Sequence, residues 1–260
     1  MNMQQKESFM AEQQAEQKKV ALISGANRGI GFETARQLGQ QGVSVVLGAR
    51  TLQAAEYAAG ILKGEGIDAY GVKLDVTDVE DRRNAAAYIL KHFSKLDILI
   101  NNAGIGAEGG MFNAAKPSTT SPQELEGIFA TNVFAVVYLT NELLPLIRKS
   151  DAGRIVNLSS ILGSLTLHAD PKSPIAGIKL LAYDASKSAL NAYTIHLAAE
   201  LKDTPIKVNS AHPGWVKTEM GTDAAPMEIV DGAKTSVTLA LLGPDGPTGR
   251  FIHMGDELPW

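Results

Sequence analysis

Cysteine is absent from all 260 residues of the chain. Its absence excludes disulfide bonds, thiolate catalysis and cysteine-based zinc sites, and it is typical of a cytoplasmic protein. Histidine, the other common zinc ligand, occurs five times and shows no spacing typical of a metal site. We therefore expect no metal, and we expect core or surface positions for His92, His168, His196, His212 and His253.

Long apolar runs and a strong charge of either sign are also missing. The formal net charge is −4 and the pI is about 5.8, so electrostatics give no reason to expect nucleic acid or an anionic membrane as partner. We expect no segment long and apolar enough to cross a membrane. Residues 1–19 are rich in Gln and Glu and lack the apolar stretch of a signal peptide. We expect a flexible N-terminal extension there, with a short dimerisation helix as the alternative, and one domain over residues 20–260.

Short apolar segments alternate with helix-length segments from Val20 onward, and several are apolar throughout, as in strands buried on both faces of a parallel sheet. This alternation predicts an α/β fold of Rossmann type, a doubly wound sheet of about seven parallel strands with helices on both faces. The predicted strands are 20–24, 43–48, 69–74, 97–100, 154–158, 207–211 and a short one near Phe251. The predicted helices are 32–40, 54–63, 79–93, 124–149 and 183–201.

A glycine-rich turn follows the first strand and opens a helix. Gly25 permits the tight turn, and Gly31 allows the helix to pack closely on the strand. Gly29 lets a pyrophosphate approach the helix N-terminus, where amide hydrogens and the helix dipole favour anions. An ordinary strand-to-helix turn would also use glycine. The cofactor-binding residues predicted here are Gly25, Asn27, Arg28, Gly29, Ile30 and Gly31.

The second strand ends Leu47-Gly48-Ala49-Arg50, where NAD enzymes usually place an acidic residue on the ribose 2′-hydroxyl. No acid occurs there, whereas Arg50 and Arg28 offer guanidinium groups suited to a 2′-phosphate. The sequence therefore predicts NADPH/NADP+ rather than NADH, with Arg50 as a solvated surface charge as the alternative.

Small and polar residues close the third and fourth strands. Asp75 could accept a hydrogen bond from the adenine amino group, although a helix cap is a rival role, for which Asp78 is better placed. In Asn101-Asn102-Ala103-Gly104, small residues leave room for a cofactor while an Asn side chain ties neighbouring strands together. The cofactor-lining residues predicted here are Asp75, Val76, Asn102, Ala103 and Gly104.

Tyr183 and Lys187 are spaced so that both lie on one face of a helix, one turn apart. The free phenol has a pKa of about 10, and a nearby ammonium group favours the phenolate and lowers that pKa. Tyr183 is therefore a candidate proton donor to a carbonyl oxygen.

The glycine-rich turn, the Asn101–Gly104 segment, Ser160 and the Tyr183/Lys187 pair, in this order, resemble the short-chain dehydrogenase/reductase family. Within it, NADPH-dependent carbonyl reductases are most similar, and the resemblance covers residues 20–260, which would be the NADP-binding catalytic domain. It implies that Ser160 bonds the substrate carbonyl oxygen and Tyr183 donates the proton. Lys187 would lower the Tyr183 pKa and hold the nicotinamide ribose, and Asn132 would disturb its helix and hold a water in a proton relay to Lys187.

The resemblance also assigns the segment that follows the sixth strand. Its Pro-Gly turn would contact the nicotinamide end of the cofactor, and Thr218 would bond the carboxamide. Trp215 and Met220 would line the substrate cleft facing Ile161, with packing of the core as the alternative for Trp215. An apolar cleft of this kind suits aryl ketones, aldehydes and quinones. The cofactor-binding residues predicted here are Pro213, Gly214, Val216 and Thr218.

Two further segments carry expectations. The stretch around residues 168–174 contains two prolines and predicts a loop that lengthens the distance from Ser160 to Tyr183. It would either block pairing of the chain with a second copy or form a wall of the active-site mouth, so monomer and homo-oligomer both remain open. The tail, residues 246–260, predicts a last edge strand with a docked terminus.

The leading functional hypothesis is a reductase of ketones or aldehydes that uses NADPH and a small-molecule carbonyl substrate. A reductase of 3-oxoacyl thioesters is an alternative, although it would favour a basic docking patch, and the region after Trp215 mixes Lys217 with several acidic residues. A sensor that binds NADP(H) without turnover is the third hypothesis. Such relatives lose the tyrosine or the lysine, which this chain retains.

Overall fold

The computed structural model describes residues 18–110 and 114–260, which form an eight-stranded sheet. The strands are β1 Val20–Ile23, β2 Ser44–Ala49, β3 Ala69–Lys73, β4 Ile98–Asn101, β5 Arg154–Leu158, β6 Lys207–Ala211, β7 Phe251–His253 and β8 Asp256–Glu257. Their order in the sheet is β3-β2-β1-β4-β5-β6-β7-β8, and every neighbouring pair up to β7 is parallel. The predicted doubly wound fold is therefore confirmed. The predicted extension, 1–19, lies almost entirely outside the described residues.

Helices cover both faces of the sheet. They are α1 Gly29–Gln40, α2 Leu52–Gly64, α3 Val79–Phe93, α4 Pro122–Phe129, α5 Ala135–Ile147, α6 Leu165–Ala169, α7 Leu181–Glu200, α8 Ile229–Gly232 and α9 Lys234–Ala240. Alternate residues of β1 explain the two layers, because side chains alternate between the faces of a strand. Leu22 packs in a core with α3, α5 and α7, whereas Ile23 packs in a second core with α1, α2 and α9.

The predicted helix over residues 124–149 is one continuous helical segment, Pro122–Ile147, in which a π-helical turn, Ala130–Phe134, separates α4 from α5. By length and composition this segment could cross a membrane, since its most apolar window has a mean hydropathy of 1.3. The expectation that no segment is long and apolar enough to cross a membrane is therefore wrong. The physical reason is that α5 is a core helix, and its Leu139, Leu143 and Ile147 are buried against the sheet.

The C-terminal tail differs from the prediction. β7 is not the edge strand, because the chain reverses at Met254-Gly255, both at positive φ, and β8 pairs antiparallel on its outer side. The terminus is docked as expected. The ring of Trp260 stacks on Phe251 at 5.7 Å, and its carbonyl oxygen accepts a hydrogen bond from Thr166 N at 2.9 Å.

The predicted loop at 168–174 is wrong at its start, where His168 and Ala169 belong to α6. Ser164 begins that helix, since its Oγ accepts a hydrogen bond from Leu167 N at 3.1 Å. Residues 170–180 are irregular and return the chain to α7.

Candidate active site

The glycine-rich turn joins β1 to α1 at the carboxyl edge of the sheet. Gly25 and Gly29 adopt φ values of +62° and +59°, which favour glycine. No side chain among the described residues caps the N-terminus of α1, and its first turn contains no acidic residue. Its amide hydrogens and positive dipole end therefore face outward as a site for an anion, which fits the pyrophosphate of a dinucleotide.

Gly31 and Asn102 hold this turn against the end of β4. A Cβ on Gly31 would lie 2.4 Å from Asn102 Nδ2 and 2.6 Å from Gly25 O. Asn102 Nδ2 donates to Ser24 O at 2.8 Å and to Gly25 O at 3.0 Å. The Asn102 side chain thus fixes the backbone of the glycine-rich turn through these two hydrogen bonds.

The neighbouring asparagine ties two strands together, since Asn101 Nδ2 donates to Asn157 Oδ1 of β5 at 2.9 Å. Ala103 N donates to Ser24 Oγ at 3.0 Å, so it too is bound to the end of β1. Gly104 lets the Asn132 and Lys187 side chains approach its backbone closely, because a Cβ there would lie 3.2 Å from Asn132 Oδ1 and 3.7 Å from Lys187 Nζ.

The ends of β2 and β3 meet at the same edge. The hydrogen bonds from Thr77 hold the pKa of Asp75 below its ordinary value, and the positive charge of exposed Arg50 acts in the same direction. Asp75 Oδ1 accepts from Thr77 N at 2.9 Å and from Thr77 Oγ1 at 2.7 Å. The cap of α3 is Asp78, whose Oδ1 accepts from the Asp81 amide at 2.9 Å, so the rival capping role for Asp75 is wrong.

Four further predicted cofactor residues lie at this edge. Val76 is buried, and its carbonyl accepts a hydrogen bond from Arg82 Nη1 at 2.7 Å. Arg28, in the glycine-rich turn, forms an ion pair with Glu219 at 2.5 Å. Asn27 and Ile30 flank Arg28 and Gly29 in the same turn.

Ser160, Tyr183 and Lys187 come together beyond the carboxyl end of β5. Ser160 lies two residues beyond that strand and is buried, and it is close enough to Tyr183 of α7 to lower the pKa of the phenol. Lys187 lies one turn further along α7, with its Nζ 5.6 Å from the centre of the Tyr183 ring. That Nζ donates to Leu158 O at 2.7 Å, so the last carbonyl of β5 orients the lysine.

The predicted lowering of the Tyr183 pKa is wrong in this structure. Burial raises the pKa of Tyr183 to about 12, although the neighbouring Ser160 acts in the opposite direction. Burial also lowers the pKa of Lys187 to about 8. The largest cause is desolvation of the phenolate, and the negative charge of Asp184 acts in the same direction. Tyr183 consequently holds its proton at neutral pH, as a proton donor must.

Asn132 lies in the π-helical turn, so the predicted local disturbance of its helix is confirmed. Its side chain is buried and bonds both backbone groups of Ile105, each at 2.9 Å. Its Nδ2 also donates to Ser186 Oγ at 3.1 Å. Asn132 therefore fixes the loop after β4 beside α7, and its role in holding a water stays a prediction.

The segment after β6 folds over the glycine-rich turn. Gly214 has a φ of +92°, and Met227 Sδ lies 2.2 Å from where its Cβ would be, so glycine is required. Beyond Pro213 and Gly214, buried Val216 forms a bridge with Met227. The Thr218 methyl lies 3.8 Å from the position of a Cβ on Gly29, and its Oγ1 accepts from Gly221 N at 3.0 Å.

Trp215 and Met220 are surface residues of this segment. Trp215 is 37% exposed and donates from Nε1 to Gly221 O at 2.8 Å, so the alternative that it merely packs the core is wrong. Met220 is 49% exposed, and its Cγ lies 3.3 Å from the position of a Cβ on Gly106.

Ile161 and Tyr183 lie in a third apolar cluster, around buried Leu162, Ile175 and Leu180. Ile175 and Leu180 belong to the irregular segment 170–180, which therefore packs against the catalytic candidates. This contact favours the prediction that the lengthened segment forms a wall of the site.

Two histidines near Ser160 have contacts that sequence reasoning missed. His212 Nδ1 accepts hydrogen bonds from Ile161 N at 3.2 Å and from Gly214 N at 3.4 Å. His168 Nε2 lies 2.9 Å from Leu162 O. The available signal was the position of His212, directly after a strand at the edge where the other motifs meet. For His168 the contact with Leu162 depends on the short helix α6, which the sequence analysis treated as the start of a loop.

Known proteins are similar to this chain in sequence and in fold. A sequence model of the family described as short chain dehydrogenase matches residues 19–229. Carbonyl reductase (NADPH) 1 from Homo sapiens is 32% identical over 271 residues, which cover 90% of this chain and 95% of that protein. The structure of NADPH-bound carbonyl reductase from chicken fatty liver is similar at a TM-score of 0.81 and 26% identity, covering 94% of this chain and 99% of that one.

Salutaridine reductase from Papaver somniferum is also similar, at a TM-score of 0.77 and 30% identity, covering 90% of this chain and 99% of that one. The matched family region takes in the glycine-rich turn, Asn132, Ser160 and the Tyr183/Lys187 pair. On this evidence, the chain belongs to the short chain dehydrogenase family.

Proposed function

We propose that the protein is an NADPH-dependent reductase that converts apolar ketones and aldehydes, quinones included, to alcohols. The observation that carries the proposal is the meeting of Ser160, a protonated Tyr183 and Lys187 beyond β5, beside a helix N-terminus with no side-chain cap among the described residues. Each group has a role in carbonyl reduction, and the relatives named as NADPH carbonyl reductases support the same chemistry.

The carboxyl edge of the sheet would hold the cofactor. The amide hydrogens that open α1 suit the pyrophosphate, and the guanidinium groups of Arg28 and Arg50 suit a 2′-phosphate. Lys187 would hold the nicotinamide ribose. When bound, this cofactor supplies a hydride to the carbonyl carbon.

Tyr183 supplies the proton in this proposal. Its pKa of about 12 keeps the phenol protonated, and the phenol gives its proton to the carbonyl oxygen as negative charge develops there. Ser160 Oγ accepts a hydrogen bond from Leu162 N at 3.2 Å, which leaves its hydroxyl hydrogen free to donate to the same oxygen. The charge of Lys187 stabilises the phenolate that remains, and Asn132 would hold the water through which the proton is replaced.

The cleft favours apolar carbonyl compounds. Ile161 with Ile175 and Leu180 lies on one side of Tyr183, and exposed Trp215 and Met220 extend from the segment beyond β6. A reductase of 3-oxoacyl thioesters on an acidic carrier would need free cations near this mouth. Lys217 instead forms an ion pair with Glu228 in that segment, which argues against such docking.

The test is oxidation of NADPH and NADH in parallel over aryl ketones, quinones, aldehydes and 3-oxoacyl thioesters. We expect turnover with NADPH and apolar carbonyls, and a loss of about 100-fold or more in Tyr183→Phe. The matched control is Tyr193→Phe, on the same helix, which should retain turnover. Undiminished turnover in Tyr183→Phe would refute the mechanism, and tight NADPH binding without turnover on any substrate would favour the sensor hypothesis.

A further inference from the structure

The loop that carries Ser160 is held at two backbone groups by histidine rings from different elements. This loop, Ser160 to Leu162, begins two residues beyond the end of β5 at Leu158. His212, which directly follows β6, accepts the Ile161 N–H at 3.2 Å. His168, in α6, bonds the Leu162 carbonyl at 2.9 Å. One ring thus holds a donor and the other an acceptor, on consecutive residues beyond the catalytic serine.

The contacts of His212 define its protonation state. Its Nδ1 faces two backbone N–H groups, of Ile161 and Gly214, so this nitrogen must carry a lone pair and the ring must be neutral. His212 is only 8% exposed, and burial together with the neighbouring His253 lowers its pKa to about 3. The ring therefore stays an acceptor throughout the working pH range, and it links the Ser160 loop to the Pro213-Gly214 turn.

The contacts of His168 define which of its ring nitrogens carries the hydrogen. A carbonyl oxygen can only accept, so Nε2 carries the hydrogen that bonds Leu162 O. The opposite nitrogen, Nδ1, lies 3.0 Å from Lys179 Nζ, which can only donate. Nε2 also lies 3.4 Å from Asp184 Oδ2, and the same oxygen accepts the Leu180 N–H at 2.8 Å. Because Asp184 follows Tyr183 directly, His168 links the Ser160 loop to the helix that carries the proton donor.

We propose that His212 and His168 are positioning residues that fix the Ser160 hydroxyl relative to Tyr183 through the backbone of Ile161 and Leu162. This inference rests on the proposed function, in which both hydroxyls contact one carbonyl oxygen. Neither ring touches that oxygen itself. Small displacements of catalytic groups cost large factors in rate, of order 100-fold for about 1 Å. Loss of either ring contact should therefore lower kcat, while KM for the carbonyl substrate and the affinity for NADPH change little.

Crossed amide substitutions test the geometry. An Asn side chain places a polar group near Nδ1 of the histidine it replaces, whereas Gln places one near Nε2. At position 212, where Nδ1 accepts, we expect His212→Asn to keep kcat within about threefold and His212→Gln and His212→Leu to lose about tenfold or more. At position 168, where Nε2 donates, the order reverses, so His168→Gln retains kcat and His168→Asn and His168→Leu lose it.

Amide hydrogen exchange of the segment containing Ile161 and Leu162 supplies a readout independent of turnover. We expect exchange at Ile161 to accelerate about tenfold or more in His212→Gln and to remain slow in His212→Asn, because only the Asn side chain places an acceptor near the position of Nδ1. Thermal unfolding and NADPH titration of each variant distinguish positioning from a general loss of structure. The proposal predicts that kcat is retained with Asn at position 212 and with Gln at position 168, whereas Tm does not depend on which amide is introduced.

Two results would overturn the inference. One is equal loss in the Asn and Gln variants at both positions, and the other is unchanged exchange at Ile161 in every His212 variant. The proposed function is judged separately, by wild-type turnover and its loss in Ser160→Ala. Turnover that Ser160→Ala abolishes, without the crossed pattern, would leave the reductase standing and remove the positioning role.

Discussion

Arg28 in the glycine-rich turn forms an ion pair with Glu219 in the segment beyond β6, with Nη1 and Oε2 2.5 Å apart. The pair connects the two sides of the crevice that the cofactor would enter, and it engages the cation that the sequence assigns to a 2′-phosphate. Both side chains are largely exposed, at 67% and 75%. An exposed pair of this kind contributes less than about 1 kcal/mol, so a phosphate can displace the carboxylate.

Removing that carboxylate should improve NADPH binding. We expect Glu219→Gln to lower the Kd for NADPH by up to about fivefold, since the carboxylate no longer competes with the phosphate for Arg28. The Kd for NADH, which lacks the 2′-phosphate, should not change. Fluorescence titration with both cofactors measures this, with Glu228→Gln as the control in the same segment. An equal gain for the two cofactors would contradict the assignment of Arg28 to the phosphate.

Gly31→Ala should damage the glycine-rich turn. Its Cβ would meet Asn102 Nδ2 at 2.4 Å and Gly25 O at 2.6 Å, and the backbone oxygen cannot move aside cheaply. We expect a loss of about 1–3 kcal/mol in the free energy of unfolding and weaker NADPH binding. Urea unfolding and cofactor titration measure the two effects.

The matched control for that variant is Gly60→Ala in α2. Gly60 is exposed, and a Cβ there would meet no described atom within 4 Å. Here we expect stability to rise by about 0.5–1 kcal/mol, because alanine favours a helix interior, with cofactor binding unchanged. Equal behaviour of the two alanine variants would mean that the close approach of Gly31 to Asn102 is not required.

The parts of the site that follow from the sequence are those set by local backbone geometry. Gly25 and Gly29 are predictable because a strand-to-helix turn with an anion site requires positive φ, which glycine provides. The meeting of Ser160 with Tyr183 follows from topology, since parallel strands bring their carboxyl ends to one edge.

What could not be predicted depends on contacts between distant segments. His212 bonds Ile161, which lies 51 residues away in the chain. His168 bonds Leu162, only 6 residues away, but its other contacts are with Lys179 and Asp184 beyond the irregular segment 170–180. Arg28 and Glu219 are likewise joined only in the folded chain. The pKa of Tyr183 was mispredicted for the same reason, because the spacing to Lys187 reveals charge proximity, whereas burial is a property of the whole packing around α7.

The burial of Lys187 predicts a pH-dependent stability. Its pKa is about 8 in the folded chain, against 10.5 for an unperturbed lysine side chain, so between these values the unfolded state binds more protons. The free energy of unfolding should therefore rise with pH over this window, by at most about 3 kcal/mol from this group. Burial also raises the pKa of Tyr183 to about 12, so this group lowers the free energy of unfolding as the pH rises, but only above pH 10.

Urea unfolding of the wild type and Lys187→Met at a series of pH values from 7 to 10 isolates this contribution. The wild type should gain stability relative to the variant as the pH rises through 8, because the variant has no buried ammonium group to deprotonate. Lys172→Met, at an exposed position in segment 170–180, is the control and should track the wild type. A constant difference between wild type and Lys187→Met would show that Lys187 is not desolvated.

Trp215→Ala should change selectivity among carbonyl substrates more than it changes stability. The ring is part exposed and held by a single hydrogen bond to Gly221 O, so its removal leaves the two main cores intact. If the ring lines the cleft, bulky aryl ketones lose apolar contact worth about 1–2 kcal/mol, and their KM should rise about tenfold. Small aliphatic ketones should keep their KM within about twofold, since they do not reach the ring.

Trp215→Phe distinguishes the ring from the hydrogen bond, because it keeps an aromatic face and removes the Nε1–H donor. We expect it to resemble the wild type in KM for aryl ketones if apolar contact is what matters. An increase in KM equal to that of the alanine variant would instead mean that the bond to Gly221 sets the shape of the segment beyond β6. Unchanged KM values for every ketone in Trp215→Ala would remove Trp215 from the cleft and leave selectivity to Ile161, Met220 and the wall formed by residues 170–180.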